Sequence, residues 1–112
     1  MSIKSLAGVI GMDYESVIED FCGDVSALKD ALKAFASTDC QNLSEAVEKN
    51  DDATVKKEAH RIRKSAEKLG LEKLKVAAAR LEEVNEEKVP ADYAHLASIF
   101  TSTVDAIKKE GL

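Results

Sequence analysis

Between Asp52 and Gly70 the residues Val55, Ala59, Ile62, Ala66 and Leu69 recur at alternating steps of four and three, with only polar and charged residues between them. A strand needs alternation at period two, so this spacing fits an α-helix with one buried face. Asp52 supplies an N-terminal cap and Gly70 a residue for the left-handed turn after the last helical position, and the pattern predicts a helix over 53–69. Nothing this regular occurs elsewhere in the chain, so neighbouring segments must supply the apolar surface that covers it.

Those segments read as helical too. Asp13 can cap a short helix from Tyr14 to Phe21 that Gly23 ends, and Asp24 a long one from Val25 to about Lys49, loosened by the polar Ser37-Thr38-Asp39. Leu28, Leu32, Phe35, Ala36, Cys40, Leu43 and Val47 form the apolar face of that long helix, which makes Cys40 a small core residue. Beyond Gly70, Leu74, Ala77, Ala78, Leu81 and Val84 turn inward before Asn85-Glu86-Glu87-Lys88 ends the helix. Pro90 fits the first turn of the last helix, whose stripe is Tyr93, Leu96, Ala97, Phe100, Val104 and Ile107. Residues 1–12, with Gly8 and Gly11, read as a loosely ordered lead segment that packs Ile3, Leu6 and Ile10 late. The fold class is therefore all-α, an antiparallel four-helix bundle with a short additional N-terminal helix, in one domain over 1–112.

A single proline and 45% hydrophobic residues agree with an ordered helical domain, and 112 residues suffice for a core without a disulfide or metal staple. The formal net charge of −5 disfavours general affinity for nucleic acid or anionic membrane, although Lys56, Lys57, Arg61, Arg63, Lys64 and Lys68 make a local basic patch. Ala66 to Gly70 and Val76 also fit a loose helix-turn-helix spacing. The length of the helix before Gly70, the acidic Glu82-Glu83 and the negative charge speak against that reading. Cys22, Cys40, His60 and His95 show no metal-ligand spacing, and the two cysteines read as reduced thiols of a cytoplasmic protein. No apolar run approaches the roughly 20 residues of a membrane span.

His60 is one of two histidines, and at about 100° per residue it lies roughly 140° from the centre of the Val55/Ile62/Leu69 stripe, facing solvent or the rim. Periodicity alone makes it an ordinary surface histidine, as it does His95. The run "AHRIRKSAEKLGLEKLKVAAARLEE", however, resembles the signature of histidine-containing phosphotransfer (HPt) domains. In that signature the histidine is followed by a hydrophobe, a basic residue, glycine, two small residues and a hydrophobe-glycine pair. Ile62, Arg63, Lys64, Ser65, Ala66, Leu69 and Gly70 stand at those places. "GMDYESVIEDFCGD" is similar to the family's first helix and Gly-Asp junction, Phe35 falls where an aromatic is usual, and Leu81-Glu82 matches the end of the helix after the histidine.

The resemblance implies a phosphorelay carrier that is not a free-standing enzyme. His60 is then the phosphoacceptor, and the partners are response-regulator receiver domains or a hybrid histidine kinase. It implies no cofactor of the chain's own, Mg²⁺ belonging to the receiver, and a monomer that binds neither nucleic acid nor membrane. Lys56, Lys57, Arg63 and Lys64 lie within one turn of His60 and can balance the charge of a transferring phosphoryl group. Glu82 occupies the place from which a Gln or Glu hydrogen-bonds the other ring nitrogen; it reads equally well as a solvated rim carboxylate. The departure is Lys64, where the family has glycine. It puts a long cation in the opening through which a receiver approaches, and leaves open a degenerate HPt-fold module that binds receivers without phosphotransfer. A histidine-kinase dimerisation helix fits less well, because Arg61 stands where that family usually has an acidic residue and no proline precedes residue 90.

Overall fold

The computed structural model describes residues 3–38, 40–83 and 87–110. Among the described residues the chain forms seven α-helices and no strand: α1 (Ile3–Ile10), α2 (Tyr14–Asp20), α3 (Val25–Ala36), α4 (Gln41–Glu48), α5 (Asp52–Lys68), α6 (Glu72–Glu82) and α7 (Val89–Glu110). Their apolar stripes meet in one core in which Leu28, Leu32, Leu43, Val55, Ile62, Leu74, Leu81 and Leu96 are all but fully buried. Helix α5 packs most extensively on α6, α6 on α7, α4 on α5 and α3 on α7. Phe35 and Phe100 join α3 to α7 through tilted rings with centroids 5.3 Å apart. Cys40 packs against this core, half-buried.

Three expectations need correction. Within the lead segment Ile3–Ile10 form a helix: Leu6, Ala7 and Ile10 are buried and α1 packs on α7. Its Gly11, at φ +71°, is the helix stop, and Met12 N–H closes back on the Ala7 carbonyl at 2.9 Å. The N-terminal part thus holds two short helices, α1 and α2, where one was expected.

The long helix from Val25 to Lys49 is two helices. Ser37 Oγ donates to the Ala34 carbonyl and Thr38 Oγ1 to the Phe35 carbonyl, both at 2.7 Å. Each hydroxyl offers a carbonyl a partner other than the next turn's N–H, and the ladder stops at Ala36. The chain restarts at Gln41, with Cys40 at the cap position.

The cap of α5 is Asp51, with Asp52 the first helical residue: Asp51 accepts from Thr54 N at 3.2 Å and from Thr54 Oγ1 at 2.7 Å. The last residue with non-helical dihedrals is the cap, and that is Asp51, at φ −86° and ψ 82°. Val84 and Asp39, included in the sequence reading, lie outside the described residues.

Gly70 positions everything that follows. It has φ +64°, and a Cβ there would stand 2.5 Å from Val17 Cγ2 of α2. Leu71 N–H donates to the Ala66 carbonyl at 2.9 Å, and Met12 and Leu71 form an isolated antiparallel bridge. The chain therefore turns from α5 into α6 within three residues, with the turn seated on the α1–α2 junction.

Candidate functional site

His60 sits near the middle of α5 because Ala59 and Ile62 on either side are buried at the α5 face of the core, which leaves position 60 outward. Its side chain is 48% exposed. Across the short turn, Leu81 is buried and Glu82 lies on the flank of α6 toward α5, where its carboxylate reaches the imidazole: Glu82 Oε1 stands 2.6 Å from His60 Nδ1. The other oxygen, Oε2, accepts from Arg63 Nε at 2.6 Å. Arg63 Nη1 donates to Glu67 Oε1 at 2.6 Å, and its Nη2 lies 3.1 Å from His60 Nδ1.

The hydrogen bond from Arg63, followed by that from His60, holds the Glu82 carboxyl below the usual carboxylate range. An ionised carboxylate only accepts, so Nδ1 carries the ring proton and donates it to Glu82. In that tautomer Arg63 Nη2 faces an N–H and is a neighbour of Nδ1, not its hydrogen-bond partner. Among the described residues every hydrogen bond of His60 runs through Nδ1. In a neutral ring the lone pair then falls to Nε2, which has no hydrogen-bond partner among the described residues, on a side chain that is half exposed.

The cations expected around His60 are not equivalent. Arg63 is half-buried and turned to the Nδ1 side, where it binds Glu82 and Glu67. Arg61 is held by Glu58 at 2.8 Å, an interaction that lowers the Glu58 carboxyl. Lys56 and Lys57 are exposed, and no hydrogen bond or ion pair among the described residues joins them to the imidazole. Lys64 is exposed, with its ammonium 3.8 Å from Glu67 Oε2. His95 is exposed on α7 and lines a groove with Val76, Arg80 and Ile99.

Glu67, which the sequence places on the His60 side of the helix but not among the candidate site residues, holds both Arg63 and Lys64. Its signal was present, since carboxylates three and four residues after a cation are helix neighbours.

A family model described as the Hpt domain matches residues 17–110. The chain belongs to the Hpt domain family. The matched span takes in the end of α2 and all of α3 to α7, and leaves α1 outside. No curated protein and no solved structure gives a significant match. Hpt domains are phosphotransfer modules of two-component relays and interact with response-regulator receivers. Among the described residues of this Hpt domain no cluster of three His, Cys, Asp or Glu side chains is arranged to hold a metal ion. No described helix is long and apolar enough to cross a membrane.

Proposed function

We propose that this Hpt domain carries a phosphoryl group on His60 between the aspartates of receiver domains, as a carrier and not as a free-standing enzyme. The observation that bears most weight is the His60–Glu82 contact of 2.6 Å beside a half-exposed ring. It supplies what an in-line attack needs, a neutral nitrogen with an accessible lone pair and a fixed direction. The Nε2 lone pair attacks the phosphorus of a receiver aspartyl phosphate, the P–O bond breaks, and the aspartate carboxylate leaves with the electron pair. Nδ1 keeps its proton, so the loaded ring is cationic and Glu82 faces it with a carboxylate. Transfer to a second receiver is the same step reversed. The Mg²⁺ that activates the phosphoryl group belongs to the receiver.

The same reading takes the chain as one cytoplasmic, monomeric domain whose partners are response-regulator receivers or a hybrid histidine kinase. It takes the packing of α3 with α4, α5, α6 and α7 as an antiparallel four-helix bundle with α1 and α2 added at one end.

A second reading rests on Lys64, which stands where the family has glycine: a degenerate domain that binds receivers without accepting phosphate. Incubation with a phosphorylated receiver separates the two. The carrier gives an acid-labile, base-stable phosphoprotein that is lost in His60→Gln and kept in His95→Gln. Receiver binding without label in the wild type overturns the carrier.

A further inference from the structure

Lys64 follows His60 by one helical turn, so the two side chains share a face. Helical side chains lean toward the N-terminus, which aims an untethered Lys64 back over position 60. The structure has it elsewhere: its ammonium stands 3.8 Å from Glu67 Oε2, on a side chain that is itself 60% exposed. Glu67 leans back in the same way and meets it from the following turn, while its other oxygen is occupied by Arg63. His60 keeps its exposure beside this arrangement.

We propose that Lys64 is a phosphoryl-binding residue held in reserve: its ammonium rests on Glu67 while His60 is bare and moves to the phosphoryl oxygens once Nε2 is loaded. This rests on His60 being the residue that carries the group. A phosphoryl group brings about two negative charges one turn from Lys64, against one shared charge on Glu67, so loading reverses the preference of a mobile cation. Arg63 cannot take this part, because its guanidinium is committed to Glu82 and Glu67 on the Nδ1 side. Lysine at this place therefore leaves the unloaded ring open and clasps the group after it arrives. Glu67 sets the balance by competing for the ammonium.

The test loads the protein with phosphoramidate, which needs no receiver. The P–N bond of the donor breaks, ammonia leaves, and the phosphoryl group is bonded to the ring nitrogen. The phosphoryl resonance is then titrated against pH by ³¹P NMR in wild type, Lys64→Gln, Glu67→Gln and the double variant. A cation on the phosphoryl oxygens favours the dianion, so the wild type titrates at lower pH than Lys64→Gln. The expected gap is about 0.3 to 0.7 pH unit, which corresponds to the roughly twofold to fivefold effect of an exposed ion pair. Glu67→Gln lowers the midpoint further by releasing the competitor, and that added shift shrinks when Lys64 is also Gln. Equal midpoints in wild type and Lys64→Gln overturn the proposal, as does a Glu67→Gln shift of the same size with and without Lys64. Every protein compared also carries His95→Gln, because phosphoramidate can load that exposed histidine; a protein in which His60 then takes up no phosphoryl group speaks instead against the carrier site, so the two failures are told apart.

Discussion

His60 Nδ1 and Glu82 Oε1 stand 2.6 Å apart although 22 residues of chain separate them. The contact makes Nδ1 the proton donor to a carboxylate and leaves Nε2 without a hydrogen-bond partner among the described residues. Arg63 keeps that carboxylate ionised.

Removing that carboxylate should change the ring before it changes the reaction. Glu82→Ala is expected to shift His60 from the Nδ1–H toward the Nε2–H tautomer, read from its ring ¹⁵N resonances. Transfer from a phosphorylated receiver should slow by about twofold to tenfold, the span of one lost hydrogen bond. An unchanged tautomer in the variant contradicts the assignment of Nδ1 as the donor.

The same carboxylate carries a pH signature. Its folded pKa lies below the ordinary glutamate value of 4.5, because Arg63 and then His60 hydrogen-bond the ionised form. A depressed carboxylate pKa contributes stability that is fully present above the unfolded value and is lost as pH falls through the folded one. The stability advantage of wild type over Glu82→Gln should therefore be largest near neutrality and shrink on acidification below about pH 4.5. Urea unfolding of both proteins across that range measures it; an advantage that grows with acid refutes the direction.

Gly70 should be the least replaceable glycine in the chain. Gly70→Ala meets both a left-handed backbone and Val17 Cγ2 at 2.5 Å, whereas Gly23, at φ +75°, has open space where its Cβ would go. Gly23→Ala is expected to cost about 1 to 2 kcal/mol from backbone strain alone. Gly70→Ala adds overpacking and should cost about 2 to 4 kcal/mol. Denaturant melts that rank the two the other way contradict the packing of the α5–α6 turn on α2.

Glycine at position 64 should not be required for transfer. Since the Lys64 ammonium is already drawn to Glu67, the wild type should load from a receiver within about threefold of Lys64→Gly, the scale on which an exposed cation acts. The variant should lose roughly 0.5 to 1 kcal/mol of stability through helix propensity. A wild type that binds the receiver without loading, beside a Lys64→Gly that loads, shows that lysine blocks the site.

What the sequence alone determined is what lies within a turn or two of itself. The stripe from Val55 to Leu69 dictated the helix, its buried face and the outward position of His60, because helix geometry fixes those relations whatever the chain packs against. Asp13 and Asp24 marked their caps for the same local reason, through hydrogen bonds to Ser16 N and Ala27 N. The break at Ser37 and Thr38 was local as well, but propensity alone does not say whether a hydroxyl takes a carbonyl or turns to solvent. Only the tertiary structure ordered α1, whose short apolar helix needs the surface of α7 to be stable at all.

It also decided the site. Whether Glu82 is a rim carboxylate or the partner of His60 depends on the phase of α6 against α5. One residue more or less in the turn at Gly70 would rotate Glu82 by about 100° about its helix axis and take it off the imidazole. That phase is set by Gly70 seated on Val17 and by the Met12–Leu71 bridge, contacts among segments far apart in the chain. The same phase turned Arg63 from a cation awaiting phosphate into one bound to Glu82, and left Lys64 as the exposed cation one turn from His60.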